Sequence, residues 1–314
     1  MFQSKVSKSF SIQAPSAVVM VRPHCFSPNP QTASDNQFQQ TQNHCSALEL
    51  SQKAFEEHSL AWQRLEQVGV KVHLFEDTQA LTPDSVFPNN WFSTHTGGHI
   101  ALYPMYSANR RQERRGDIIE TLKQQYRVQD VIDYTGMEYD DLFLEGTGAM
   151  VLDHLARVAY VAQSKRADPV LLERFCTHFN YEPMVFKTAD RHGIPIYHTN
   201  VMMCIATEFA LIGSSLITSV ERAKQVIERL AETGKEWIDL TEDQIAHFAG
   251  NALELNTPNG RVLAISARAL GSLQAQQIKT IEKSCQILSL NIPNIEMAGG
   301  SVRCMLAGIH LSSR

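Results

Sequence analysis

Five times along this chain, a pair of short apolar strands is followed by an amphipathic helix and then by another short strand. The first round opens with "AVVMVRP" (17–23), β-branched and bounded by prolines. It continues with "SALELSQKAFEEHSLAWQRLEQVG" (46–69), apolar at helical spacing and stopped by Gly69, and with the alternating "VKVHLFE". "SVFPNNWFST" and "HIALYPM" read as two strands joined at Gly97 and Gly98, followed by a helix near 110–126. "GAMVLD" and "RVAYVAQS" precede "PVLLERFCTHF", a helix opened by proline. "VMMCIATEFALIGSSLI" precedes "SVERAKQVIERLAETG". "ALELNTPNGRVLAIS", a hairpin with a Pro-Asn-Gly turn, precedes "QAQQIKTIEKS", and "VRCMLAGIHL" is read as a last strand. Such alternation defines an α/β class. No Pro-, Gly- or Ser-rich linker divides it, so 1–314 is expected to form a single domain. The polar stretch 27–44 is expected to be a loop over the surface.

The net charge of −5 is mild and well mixed, which leaves no footprint for nucleic acid or a membrane surface. The one basic run, "NRRQERR" (109–115), is expected to open a helix, and such runs are usually solvated faces. No apolar stretch reaches the ~18 residues of a membrane span, and polar residues interrupt the N-terminus before any signal-like core. The six cysteines (Cys25, Cys45, Cys176, Cys204, Cys285 and Cys304) contain no Cys-x-x-Cys pair. Reduced thiols, a cytoplasmic location and no structural zinc are the expectation.

Five stretches carry polar residues at strand ends or beside glycines: "PDSVFPNNW" (83–91), "LEGTG" (144–148), "SKRAD" (164–168), "YHTNV" (197–201) and "GGSVRCM" (299–305). A lone cysteine in a strand is usually a small core hydrophobe. Cys304 differs in following two glycines, which let the backbone approach a ligand closely. A nucleophilic thiol needs a proton acceptor, and His198 is a candidate. Glu145 reads either as a solvated turn residue or as a carboxylate held at a pocket rim to orient the histidine or bind a substrate nitrogen. Asp84, Asn89 and Asn90 are either turn formers or buried polar groups in need of partners.

In this order, these stretches resemble the guanidino-group-modifying superfamily, which includes arginine deiminase, dimethylarginine dimethylaminohydrolase and glycine amidinotransferase. The resemblance runs from about Asp84 to Cys304. "PDSVF", "SKRAD" and Gly-Gly-x-x-x-Cys look nearest the dimethylarginine hydrolase branch, and the whole looks most like the bacterial citrulline-utilisation hydrolases. The resemblance implies a five-bladed, pseudo-symmetric α/β propeller (the pentein fold) with its active site at the central axis. It implies Cys304 as nucleophile, His198 as general acid/base, and Glu145 as partner to the histidine or the substrate. Arg110 and Arg166 match arginines that grip a substrate α-carboxylate, a task suited to a bidentate guanidinium. Asp84 matches a pocket acid. Asn89, Asn90 and Asn200 stand where members acting on guanidinium carry carboxylates.

A guanidinium is a permanent cation with donors only, and burying it calls for an anion. A ureido group is neutral and both donates and accepts, as asparagine amides do. The expected reaction is therefore hydrolysis of L-citrulline to ornithine, ammonia and carbon dioxide without metal or organic cofactor. The rivals are deimination, dimethylamino hydrolysis or amidino transfer on an arginine-like substrate, and a non-catalytic binding protein. The expected partner is a small amino acid, with neither nucleic acid nor membrane, and a homodimer is the default assembly.

Overall fold

The computed structural model describes residues 11–40 and 46–314; Cys45 and residues 41–44 of the expected loop lie outside the described residues. The five rounds form five three-stranded sheets. β1 (Ala17–Pro23) pairs in parallel with β2 (Lys71–Asp77). The next three sheets are β3 (Phe92–His95), β4 (His99–Leu102) and β5 (Asp130–Asp133); β6 (Met150–Asp153), β7 (Val158–Ala162) and β8 (Glu182–Phe186); and β9 (Met203–Ile205), β10 (Phe209–Ile212) and β11 (Glu236–Asp239). The fifth is β12 (Leu253–Thr257), β13 (Gly260–Ser266) and β14 (Gln286–Leu290). β15 (Ala307–Gly308) returns from the C-terminus to pair antiparallel with β1, so the first sheet holds both ends of the described chain together.

In every sheet the middle strand is antiparallel to the inner one and parallel to the outer one. A parallel step cannot be made by a hairpin, so each round spends a helix on the crossover. The helix Ala47–Gln67 opens with a capping box in which the Ser46 hydroxyl accepts from the Glu49 amide and the Glu49 carboxylate accepts from Ser46. Asp168 caps the helix Pro169–Phe179, with proline in its first turn. Middle strands are almost wholly buried, as their unbroken apolar runs require.

The strands are shorter than their apolar runs suggest, and the reason bears on function. The stretch "SVFPNN" is no strand: Pro88–Asn90 is a single 3₁₀ turn, and β3 starts at Phe92. "VRCML" is no strand either, because Val302–Met305 is one turn of helix and only Ala307–Gly308 pairs. Thr199–Met202 and Gly146–Ala149 are likewise single helical turns ahead of β9 and β6. Four of the five inner strands are thus preceded by a one-turn helix whose side chains gather at the axis. Periodicity over several residues does not register such a turn.

Candidate active site

Each turn delivers one or two polar side chains to the same place. Asn90 comes from the turn before β3, Glu145 from before β6, His198 and Asn200 from before β9, and Cys304 from before β15. The fifth round contributes Asn251, just ahead of β12. All six are buried; Cys304 is 2 % exposed and Glu145 0 %.

The sulfur of Cys304 accepts two amide N–H groups at 3.3 Å, from Asn200 Nδ2 and Asn251 Nδ2. Asn251 also donates to the Asn200 carbonyl (2.9 Å), and its Oδ1 accepts from the Arg303 amide (3.0 Å). These bonds fix the turn that carries the thiol. His198 Nε2 donates to Glu145 Oε2 at 2.8 Å. Glu145 Oε1 accepts from the Tyr106 amide at 2.9 Å. Arg166 Nη1 lies 3.6 Å and Arg110 Nη1 3.8 Å from Glu145 Oε2. Burial pushes the Glu145 carboxyl up, but Arg166, the His198 bond and Arg110 outweigh it and hold it at about 2. An ionised carboxylate only accepts, so Nε2 carries the histidine proton and Nδ1 keeps a free lone pair. Burial lowers the His198 imidazole below its ordinary range, against the pull of Glu145, so it is neutral near pH 7.

Gly148 shapes the space at Nδ1. A Cβ at this position would stand 2.9 Å from His198 Nδ1 and would overlap Asn90 Nδ2. The amide of Asn90 and the free nitrogen of His198 therefore converge on a spot that only glycine leaves open. Asn90 Nδ2 has no partner among the described residues.

Cys304, His198, Asn90, Asp84, Arg110 and Arg166 line one small cavity, together with Asn36, Phe87, Tyr197, Ala298 and Gly300. Asp84 Oδ2 accepts from Asn29 (2.8 Å) and lies 3.6 Å from Arg110 Nε, while Oδ1 has no partner among the described residues. Burial pushes the Asp84 carboxyl above its usual range, against the pull of Arg110. The loop 27–40 lies over this cavity. Asn36 Nδ2 donates to the Ala298 carbonyl, and Asp35 takes both the Nε and Nη2 protons of Arg166. Gly299 sits at φ +82°, where a side chain would be strained and would strike Asn36.

The structure places the expected substrate-binding residues in three different ways. Asn200, expected to bind substrate, gives its Nδ2 to the sulfur and does not line the cavity, while its buried Oδ1 has no partner among the described residues. Asn89 is buried with neither side-chain atom partnered, and it too stands outside the cavity lining. It precedes Asn90 in a single 3₁₀ turn, so the two side chains diverge. Arg110 and Arg166 line the cavity, but the Nε/Nη2 edge of each already holds a carboxylate: Glu113 at 2.9–3.0 Å and Asp35 at 2.5–3.0 Å. Nη1 of each lies 3.6–3.8 Å from Glu145 Oε2, so a two-pronged grip on a substrate carboxylate requires one of these pairs to open. In the basic run, Arg111 and Arg114 pair with Glu138 and Arg115 with Asp117, and only Arg110 belongs to the site.

Sequence reasoning missed Asn251, Asp35, Asn36 and Glu113. Asn251 had a detectable signal, because it occupies in the fifth round the place that Asn90, Glu145, His198 and Cys304 occupy in the others.

Five such sheets, with cysteine, histidine and glutamate brought together by the turns before the inner strands, define a five-bladed α/β propeller of the guanidino-group-modifying class. The chain belongs to the family described as N,N dimethylarginine dimethylhydrolase, eukaryotic, whose model matches residues 22–311. No curated protein matches it. Solved structures share the fold at low identity. The N-terminal domain of ArgZ, an arginine dihydrolase from the ornithine-ammonia cycle in Cyanobacteria, aligns with TM-score 0.72 and 16% identity over 93% of this chain and 97% of that one. Unliganded AgrE aligns with TM-score 0.74 and 18% identity over 95% of this chain but 40% of its own. A dimethylarginine dimethylaminohydrolase adduct aligns with TM-score 0.63 and 12% identity over 94% and 100%. No helix among the described residues is long and apolar enough to cross a membrane, and no group of three or more His, Cys, Asp or Glu among them could hold a metal ion.

Proposed function

We propose that this protein hydrolyses the ureido group of L-citrulline to ornithine, ammonia and carbon dioxide through a covalent intermediate on Cys304. The observation that carries this reading is the unpartnered Asn90 amide facing the free nitrogen of His198 beside the thiol. The charged groups lining the cavity are Asp84, Arg110 and Arg166. Both arginines are already paired with carboxylates, so the selection against a cation rests on Asn90, a neutral amide beside the thiol where a buried guanidinium would call for an anion.

The chemistry follows the geometry. The Cys304 proton passes to His198 Nδ1 as sulfur adds to the ureido carbon. The ureido oxygen takes up negative charge and accepts from Asn90 Nδ2, a contact worth about 3 kcal/mol in such sites. His198 returns the proton to the departing ornithine nitrogen, leaving a thiocarbamoyl on sulfur. His198 then takes a proton from water, the hydroxyl adds to the same carbon, and sulfur leaves as the thiol. The carbamic acid released breaks down to ammonia and carbon dioxide. Glu145 holds the imidazole in the required tautomer and balances it while it is charged.

One observation favours a guanidino substrate instead: Asp84 Oδ1 is buried at the cavity without a partner, as a guanidinium N–H would want. Purified protein given citrulline, arginine and dimethylarginine separates the readings. Ornithine and ammonia from citrulline are expected; citrulline formed from arginine or dimethylarginine overturns the ureido reading. Asn90→Asp should turn the preference toward guanidinium compounds, as the ratio of kcat/KM values reports. An unchanged ratio removes the argument from Asn90.

A further inference from the structure

Arg303 and Cys304 are consecutive, yet they line different cavities. Cys304 faces the substrate cavity, and Arg303 faces a second one of about 40 Å³ lined by the inner strands β3, β6, β9, β12 and β15. Its lining includes Arg303, His95, His154 and His310 and contains no carboxylate. Arg303 Nη1 donates to the Leu306 carbonyl at 3.0 Å, and no carboxylate stands in the lining around its guanidinium among the described residues. The fully buried arginines each have at least one carboxylate: Arg110 has Glu113, Arg166 has Asp35, and Arg261 has Glu254.

The other polar groups of the chamber divide into spent and unspent. Thr94 and Thr147 donate to the carbonyls of Gly308 and Asn89. His154 Nδ1 meets the Tyr181 hydroxyl at 2.8 Å. His95 Nε2 meets Ser93 Oγ at 2.7 Å, but its Nδ1 is buried and unpartnered. Burial holds His95 and His154 well below the ordinary imidazole range, with His310 and Arg157 adding to it. Burial and Arg303 bring His310 down to about 4, against the Ile12 carbonyl. All three imidazoles are therefore neutral near pH 7, and Arg303 is the lone cation of the lining. Gln13 seals one side: its Nε2 donates to the carbonyls of Leu152 and Ile205, and its Oε1 accepts from the His154 amide.

We propose that this axial chamber binds one small monovalent inorganic anion, of halide or bicarbonate size, on the Arg303 guanidinium. Arg303 is only partly exposed, and none of the described residues of the lining offers its guanidinium a counter-charge. The free space holds about three water-sized particles, enough for one small ion. The neutral imidazoles offer N–H donors without competing for charge. The site touches the substrate cavity through one residue, since the Arg303 amide is bound by Asn251, whose side chain also holds the sulfur.

Bromide soaked into crystals of the full chain tests this without any variant. An anomalous peak beside Arg303 in the chamber is expected; no peak there, or a peak only in the substrate cavity, overturns the proposal. In solution, sodium chloride should raise the melting temperature above that in sodium gluconate at equal ionic strength. That increment should vanish in Arg303→Met. If it persists, Arg303 is not the ligand and the proposal fails. None of these readouts depends on which substrate the enzyme turns over.

Discussion

On one side of the Cys304 turn, four carboxylates (Asp35, Asp84, Glu113 and Glu145) face two arginines. On the other side, one arginine and three imidazoles face no carboxylate among the described residues. The two regions share strands and differ in how their polar groups are satisfied. The substrate side is cross-linked by ion pairs, Arg110 with Glu113 and Asp84, Arg166 with Asp35 and Glu145. The chamber side is closed by hydrogen bonds of Gln13 to backbone groups. Ion pairs hold direction but carry a desolvation cost and respond to pH; amide-to-backbone bonds close a space and do not titrate. A site that must aim a thiol, an imidazole and a substrate benefits from the first kind. A sealed axis needs only the second.

The contrast is tested most severely at the thiol. Cys304→Ser keeps the turn and its size but removes the nucleophile. Turnover of citrulline should fall by at least about 10³-fold, and the mass of the enzyme should show no carbamoyl adduct during reaction. Residual activity near wild type would mean that the sulfur is held by Asn200 and Asn251 for packing alone.

Glu145→Gln comes next, because it strikes both chemistry and stability. It removes the anion that orients His198 and faces two buried guanidinium groups. A loss of about 10²-fold or more in kcat is expected, with buried positive charge left unbalanced. The pH dependence carries the sign. The Glu145 carboxyl sits at about 2 in the folded protein, below its ordinary 4.5. Its contribution is then complete above pH 4.5 and is lost as pH falls toward 2. The shift is worth about 3 kcal/mol at about 1.4 kcal/mol per unit. Asp84 and Glu113 run the other way, since burial raises both against Arg110. Denaturant unfolding of wild type and variant from pH 6 to pH 3 isolates the Glu145 part: the gap between the two curves should close as pH falls. A gap of constant width would remove the ion-pair argument for the substrate side.

The alternation that fixes the α/β class is legible in the chain because each helix and middle strand repeats a period over enough residues to be seen. "GGSVRCM" and "YHTNV" stand out because glycines and polar residues interrupt apolar runs there. The turns themselves stay hidden. One helical turn has no measurable period, which is why Val302–Met305 reads as strand and why Asn200 seems to point at substrate rather than at sulfur. Asp35 and Asn36 are hidden for a different reason: they reach Arg166 and Ala298 across 131 and 262 residues, and no local rule encodes a contact of that span. Asn251 lies between these cases, silent by itself and visible only when the five rounds are superposed.

Gly148→Ala sharpens the substrate side further. The added methyl would stand 2.9 Å from His198 Nδ1 and overlap Asn90 Nδ2, so both side chains must move. Overpacking of this kind costs about 1–3 kcal/mol. The telling readout is the split between parameters. If the convergence of Asn90 and His198 serves the reaction, kcat falls by more than the melting temperature alone explains, and substrate binding changes less. A fall in stability with kcat intact would make Gly148 a packing residue.

The smallest effect is expected at the other end of the axis. Gln13→Ala deletes three hydrogen bonds, to Leu152, Ile205 and His154, and leaves buried backbone groups without partners. The cost should be about 1–3 kcal/mol of stability, read by urea unfolding. Citrulline turnover at 25 °C should be unchanged, because no bond to Gln13 reaches the turns that carry Asn90, Glu145, His198 or Cys304. The chamber would then be a support whose hydrogen bonds hold the inner strands, separable from the ion pairs that aim the site. A drop in kcat matching that of Gly148→Ala would show instead that the two ends move together, and that the strands transmit strain from the seal at Gln13 to the thiol.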